Sequence, residues 1–92
     1  MAGSAQYTAG ASTAVLVAAA PVSQTPGPVG WFYFANGSGS IVVYLGGPGV
    51  TASNGAAVAA NGTFSGYLFS GDQIYAIAAS STAAVSVLQT GA

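Results

Sequence analysis

The chain has 92 residues, enough for one domain with a single modest core. It contains no Lys, Arg, His or Cys, and Asp72 is its one acidic side chain. That inventory excludes catalytic triads, paired-carboxylate hydrolysis, zinc centres and disulfides, so no catalytic residue, metal or cofactor is expected.

Nucleic-acid binding is excluded on the same ground, because phosphate contacts rest on Lys and Arg. Bulky apolar residues are nevertheless plentiful and patterned, which marks a folded domain rather than a disordered tract. A domain with almost no charge lacks the usual means of staying soluble alone. This points to a surface covered by identical copies or by a large partner. The longest apolar run, Ala14 to Val22, is about half of what a membrane-spanning helix needs and contains Pro21. Ala14–Ala20 has the look of a signal-peptide apolar region, but the basic segment that should precede it is missing.

Residues 1–12 are Ala, Gly, Ser and Thr around a single Tyr7. Such a segment buries too little apolar surface to order itself. It is expected to be an extended N-terminal arm, held by a neighbouring subunit or lying along its own sheet, with residues 13–92 as a single β domain. Thr13 to Ala18 reads as a strand, with Val15 and Val17 on one face and Leu16 on the other. Pro21 to Pro28 is a loop or extended edge. Val29 to Phe34 is an aromatic strand with Trp31 and Tyr33 on one side and Phe32 and Phe34 on the other. These rings either fill the core or, for Trp31 and Tyr33, stand at a subunit contact, where Trp and Tyr are enriched.

Ile41 to Leu45 is apolar on both faces and ends at Gly46-Gly47-Pro48-Gly49, so it is expected to be a central, covered strand. Gly46 to Ala60 is a connection of small residues pinned by Val50 and Val58. It has no Lys and no following helix, which argues against a phosphate loop. Thr63–Phe69, Gln73–Ala78 and Ala83–Leu88 complete the strands, with Ile74, Ala76 and Ala78 sharing a face and Val85 and Val87 turned inward. Asn36-Gly37, Asn54-Gly55 and Asn61-Gly62 predict type I′ hairpin turns. Two of these pairs also match the glycosylation acceptor pattern and are read as turns. Asp72, at Ser70-Gly71-Asp72, is expected to accept backbone N–H bonds in a turn rather than to hold calcium. The fold class is therefore all-β: a compact antiparallel β-sandwich or β-barrel, jelly-roll-like, of about six to eight short strands.

Three stretches carry a family resemblance: Tyr44-Leu45-Gly46-Gly47-Pro48-Gly49-Val50-Thr51, then Ser70-Gly71-Asp72-Gln73-Ile74-Tyr75-Ala76-Ile77-Ala78-Ala79, then Thr82-Ala83-Ala84-Val85-Ser86-Val87-Leu88. Over residues 40–90 the chain resembles the small β-rich virion proteins of tailed actinobacteriophages. The resemblance implies a capsid decoration (minor capsid) protein or a head-fibre domain on the capsid exterior, made in the host cytoplasm. Its partner would be the major capsid protein. Family members usually carry Arg or Glu in the last strand, where this chain has Ser86 and Gln89. Contacts would then rest on shape, backbone hydrogen bonds and apolar surface.

The leading expectation is a non-enzymatic structural protein that oligomerises with itself as a trimer and reinforces capsomer junctions. It is expected to bind neither nucleic acid nor membrane. Tyr7, Trp31, Tyr33, Tyr44 and Tyr67 are the candidate interaction residues. The alternative is a tail or head-fibre domain that binds carbohydrate, with Trp31, Tyr33, Tyr44 or Tyr67 as stacking rings. A third reading, a self-associating secreted protein, requires cleavage within Ala14–Ala20.

Overall fold

The computed structural model describes residues 2–22, 24 and 26–91. Eight strands run in the order β1 (Ala2–Gly10), β2 (Val15–Ala19), β3 (Gly30–Asn36), β4 (Val43–Gly46), β5 (Ala56–Val58), β6 (Thr63–Leu68), β7 (Gln73–Ala78) and β8 (Thr82–Gly91). They form two four-stranded sheets, β1-β8-β3-β6 and β2-β7-β4-β5, with every strand pair antiparallel. Strands alternate between sheets in the order of a jelly roll, so the all-β sandwich holds and the closed barrel does not. We call these the first and second sheets.

The core lies between the two inner faces. Phe32 and Phe34 of β3, Val85 and Val87 of β8 and Leu68 of β6 face Val43 and Leu45 of β4, Val58 of β5, Ala76 and Ala78 of β7, and Val17 and Ala18 of β2. Each bulky side chain removed from water stabilises by about 1.5–3 kcal/mol, and the alternation puts the core residues of each strand on one side. β4 is an interior strand between β7 and β5, as its apolar run predicts. The run Ala14–Ala20 contains β2, hydrogen-bonded to β7 with a bulge between Leu16 and Ala18.

Of the two alternatives for the N-terminal segment, it lies along its own sheet, and it does so as an integral strand: nine consecutive residues of Ala2–Gly10 pair with β8, from Ala2 opposite Thr90 to Gly10 opposite Thr82. Ala5, Tyr7 and Ala9 alternate with Ser4, Gln6 and Thr8, so that Ala9 is buried and Tyr7 packs against the core, and the backbone ladder orders the rest. The Asn-Gly pairs are not type I′ hairpin turns. Of their six residues, Asn61 alone has a positive φ, 61°. The connection from β4 to β5 joins neighbours within one sheet, whereas Asn36 and Asn61 stand where the chain crosses between sheets.

Asn36 instead ends β3 as a buried polar node. Its Nδ2 donates to the carbonyls of Ile41 (2.8 Å), Val58 (3.1 Å) and Ala59 (3.2 Å), and its Oδ1 accepts from Ser38 N–H (3.0 Å). One amide thus ties β3 of the first sheet to β5 of the second. Gln89 of β8 does the same at β2, where its side-chain amide exchanges two hydrogen bonds with the peptide groups of Ala19. Buried amides can join sheets only when their groups are paired. Among the described residues every buried side-chain polar atom is satisfied.

Candidate functional site

The outer face of the first sheet carries the main exposed aromatic surface. Register places Thr90, Trp31 and Tyr67 in one row across β8, β3 and β6. The next row is Ser4, Leu88, Tyr33 and Ser65, and the one after it Gln6, Ser86, Ala35 and Thr63. Tyr67 is 66% exposed, Tyr33 and Leu88 39% each, and Trp31 is half-buried. Trp31 and Tyr33, two residues apart on β3, stack with ring centroids 6.3 Å apart and planes at 24°. Pro28, Val29, Gly30, Trp31, Tyr67 and Thr90 line a shallow cleft at the end of this face.

The partition within β3 has a physical cause. Phe32 and Phe34 have no polar atom and go inward, whereas Trp31 and Tyr33, whose rings carry an N–H and a hydroxyl, take the outer face. Phe32 also stacks on Phe64 of β6, with ring centroids 6.0 Å apart, beside Gly66.

The structure brings three of the five candidate residues together. Trp31, Tyr33 and Tyr67 share the outer face of the first sheet. Tyr44 lies on the outer face of the second sheet, half-buried. Tyr7 lies in register with Val85, and its ring packs against the core, so it adds no ring to the exposed patch. Leu88 belongs to the patch and follows from parity: with Val85 and Val87 inward, position 88 must face outward. Gln89 had no signal of its own, since its role depends on how closely β2 approaches β8.

Asp72 behaves as a turn residue. Its carboxylate accepts Phe69 N–H at 2.8 Å, and its own N–H donates to Phe69 carbonyl at 3.0 Å around Gly71 at φ 78°. Its carbonyl also receives Ala20 N–H, which closes this turn onto the end of β2.

What the outer face offers chemically is rings, methyl groups and hydroxyls, with no charged side chain. Its interactions must therefore be apolar contact, stacking and neutral hydrogen bonds.

No family model and no curated protein matches the sequence. Among solved structures, the chain is similar to one from Bacillus endospore appendages, described as a novel family of disulfide-linked pili. The similarity covers 99% of this chain and 85% of the other, with a TM-score of 0.58 and 18% sequence identity. It is a likeness of fold.

Proposed function

We propose that this chain is a non-enzymatic structural subunit of a large assembly, a capsid decoration protein that binds the outer lattice of a tailed-phage head and reinforces capsomer junctions. The observation that carries the reading is the outer face of the first sheet, where Trp31, Tyr33, Tyr67 and Leu88 are presented with no charge around them. A contiguous apolar face without charge marks a surface meant to be covered. The motif resemblance over residues 40–90 names the phage head as the site. A chain of the same fold from pili shows the architecture in a polymer, although the disulfide linkage has no counterpart in a sequence without cysteine.

Quantitative mass spectrometry of purified virions, relative to the major capsid protein, tests the reading. On the order of hundreds of copies per particle is the expected result, since a lattice offers many equivalent sites. A handful moves the chain to the tail or a fibre, and none overturns the virion reading.

One observation favours a second reading, a fibre domain that binds neutral glycans. The cleft at Trp31 and Tyr67 sets two rings beside the Thr90 hydroxyl, a pairing of apolar platform and hydrogen-bonding group that suits a pyranose ring. A glycan array without hits removes it.

A further inference from the structure

A jelly roll leaves four edge strands, and here they differ in how they are protected. β5 is three residues long. β2 carries the bulge between Leu16 and Ala18 and runs into Pro21, whose carbonyl is taken by Gly71 N–H. β6 has six residues in unbroken register with β3 and is shorter than β1. β1 has nine residues, no proline and no charged side chain, and it holds an unbroken register with β8. Natural edges are blunted by shortness, bulges, proline or lysine, because an open edge templates another strand. β1 has none of these devices.

The sequence of β1 also fits itself. We propose that β1 pairs antiparallel with β1 of a second copy about a two-fold axis at Gln6, joining the first sheets of two chains into one eight-stranded sheet. Faces match only when paired positions share parity, and the register centred on Gln6 gives the longest such overlap. On the outer face it sets Gln6 opposite Gln6 and Ser4 opposite Thr8, neutral pairs able to hydrogen-bond across strands. On the inner face it sets Ala5 opposite Tyr7. Ala5 lies on the core-facing side yet is exposed at the open rim, and the partner's ring covers it.

This inference rests on the assembly reading above and names one of its contacts. It uses an edge rather than the aromatic face, and it sets the isolated oligomer at two copies, not the three expected from the sequence.

Sedimentation equilibrium on the isolated protein tests it, independently of any particle. Wild type is expected at twice the chain mass. Gln6→Lys and Gln6→Glu, at an exposed position, each place like charges directly opposite and should weaken the dimer at least about tenfold with the unfolding midpoint of the monomer unchanged. An equimolar mixture of the two variants should restore it. Thr63→Lys, on β6 at the opposite edge, should leave the dimer intact. A monomeric wild type, a Gln6→Lys protein that associates as wild type does, an unrestored mixture, or an open-ended polymer lost in Thr63→Lys would each overturn the proposal. Virion copy number then judges the assembly reading separately.

Discussion

The two outer faces of this sandwich are built from the same alternation and differ in how far they are covered. On the first sheet the outward residues Tyr33, Tyr67 and Leu88 are exposed and Trp31 is half-buried. On the second sheet the outward residues Tyr44, Tyr75 and Ile77 are half-buried or buried, Ile77 to 7% exposure, and Leu16 at the β2 edge, opposite Tyr75, is left exposed. The difference comes partly from the connection between β4 and β5. It turns back so that Val50 is buried beside Gly46 and Gly55, close to Tyr44. Its backbone is held by Val50 N–H to Gly47 carbonyl and Gly55 N–H to Thr51 carbonyl, and by the Asn54 side chain on Thr51 N–H at 2.7 Å. The second sheet uses its own loop as cover. The first has none among the described residues.

The largest expected effect separates the faces directly. Ile77→Ala should destabilise by about 2–4 kcal/mol, as for a buried large-to-small change, whereas Leu88→Ala should cost under about 0.5 kcal/mol. Urea unfolding of both variants checks this, and equal costs would mean that the two faces are alike.

Gly55→Ala comes next, because a Cβ there meets Tyr44 Cβ at 2.7 Å, Val50 Cγ2 at 2.8 Å and Leu45 carbonyl at 3.2 Å. The expected cost is about 1–3 kcal/mol, from the strain of overpacking. Increased binding of an apolar dye should accompany it as the loop lifts from Tyr44.

A change at Tyr67 should act the other way round. Tyr67→Ser is expected to shift stability by no more than about 0.5 kcal/mol, while lowering occupancy on particles several-fold; an unchanged occupancy would take the aromatic face out of the contact. The smallest effect is that of salt. Retention on particles should be nearly constant from about 0.05 to about 1 M, since the interface has no charges to screen. Release at high salt would contradict an uncharged contact.

Much of the architecture was legible in strands where apolar residues alternate. Gln73–Ala78 matches its expected span, and the facing of Trp31, Phe32, Tyr33 and Phe34 follows from period two. β1 was legible only as an arm, because the alternating positions Ala5, Tyr7 and Ala9 are small apart from one ring and the strand is ordered largely by pairing with β8. β5 was hidden for a related reason, as three residues inside a run of alanines. Asn36-Gly37 and Asn61-Gly62 misled because their chemistry permits a tight hairpin but cannot say whether the next strand joins the same sheet, and Asn54-Gly55 because it only ends a longer connection between β4 and β5.

The candidate site divides in the same way. Parity placed Trp31 with Tyr33, yet only the sheet order brought Tyr67 and Leu88 beside them from β6 and β8.

By itself, the sequence determined that this protein has Asp72 as its one charged side chain and is built of β-strands, because those properties follow from residue inventory and local periodicity. Tertiary structure decided which faces are covered, which edge is open, and that Asn36 and Gln89 bridge the sheets. Those depend on strands distant in sequence coming into register, and no local pattern carries that information.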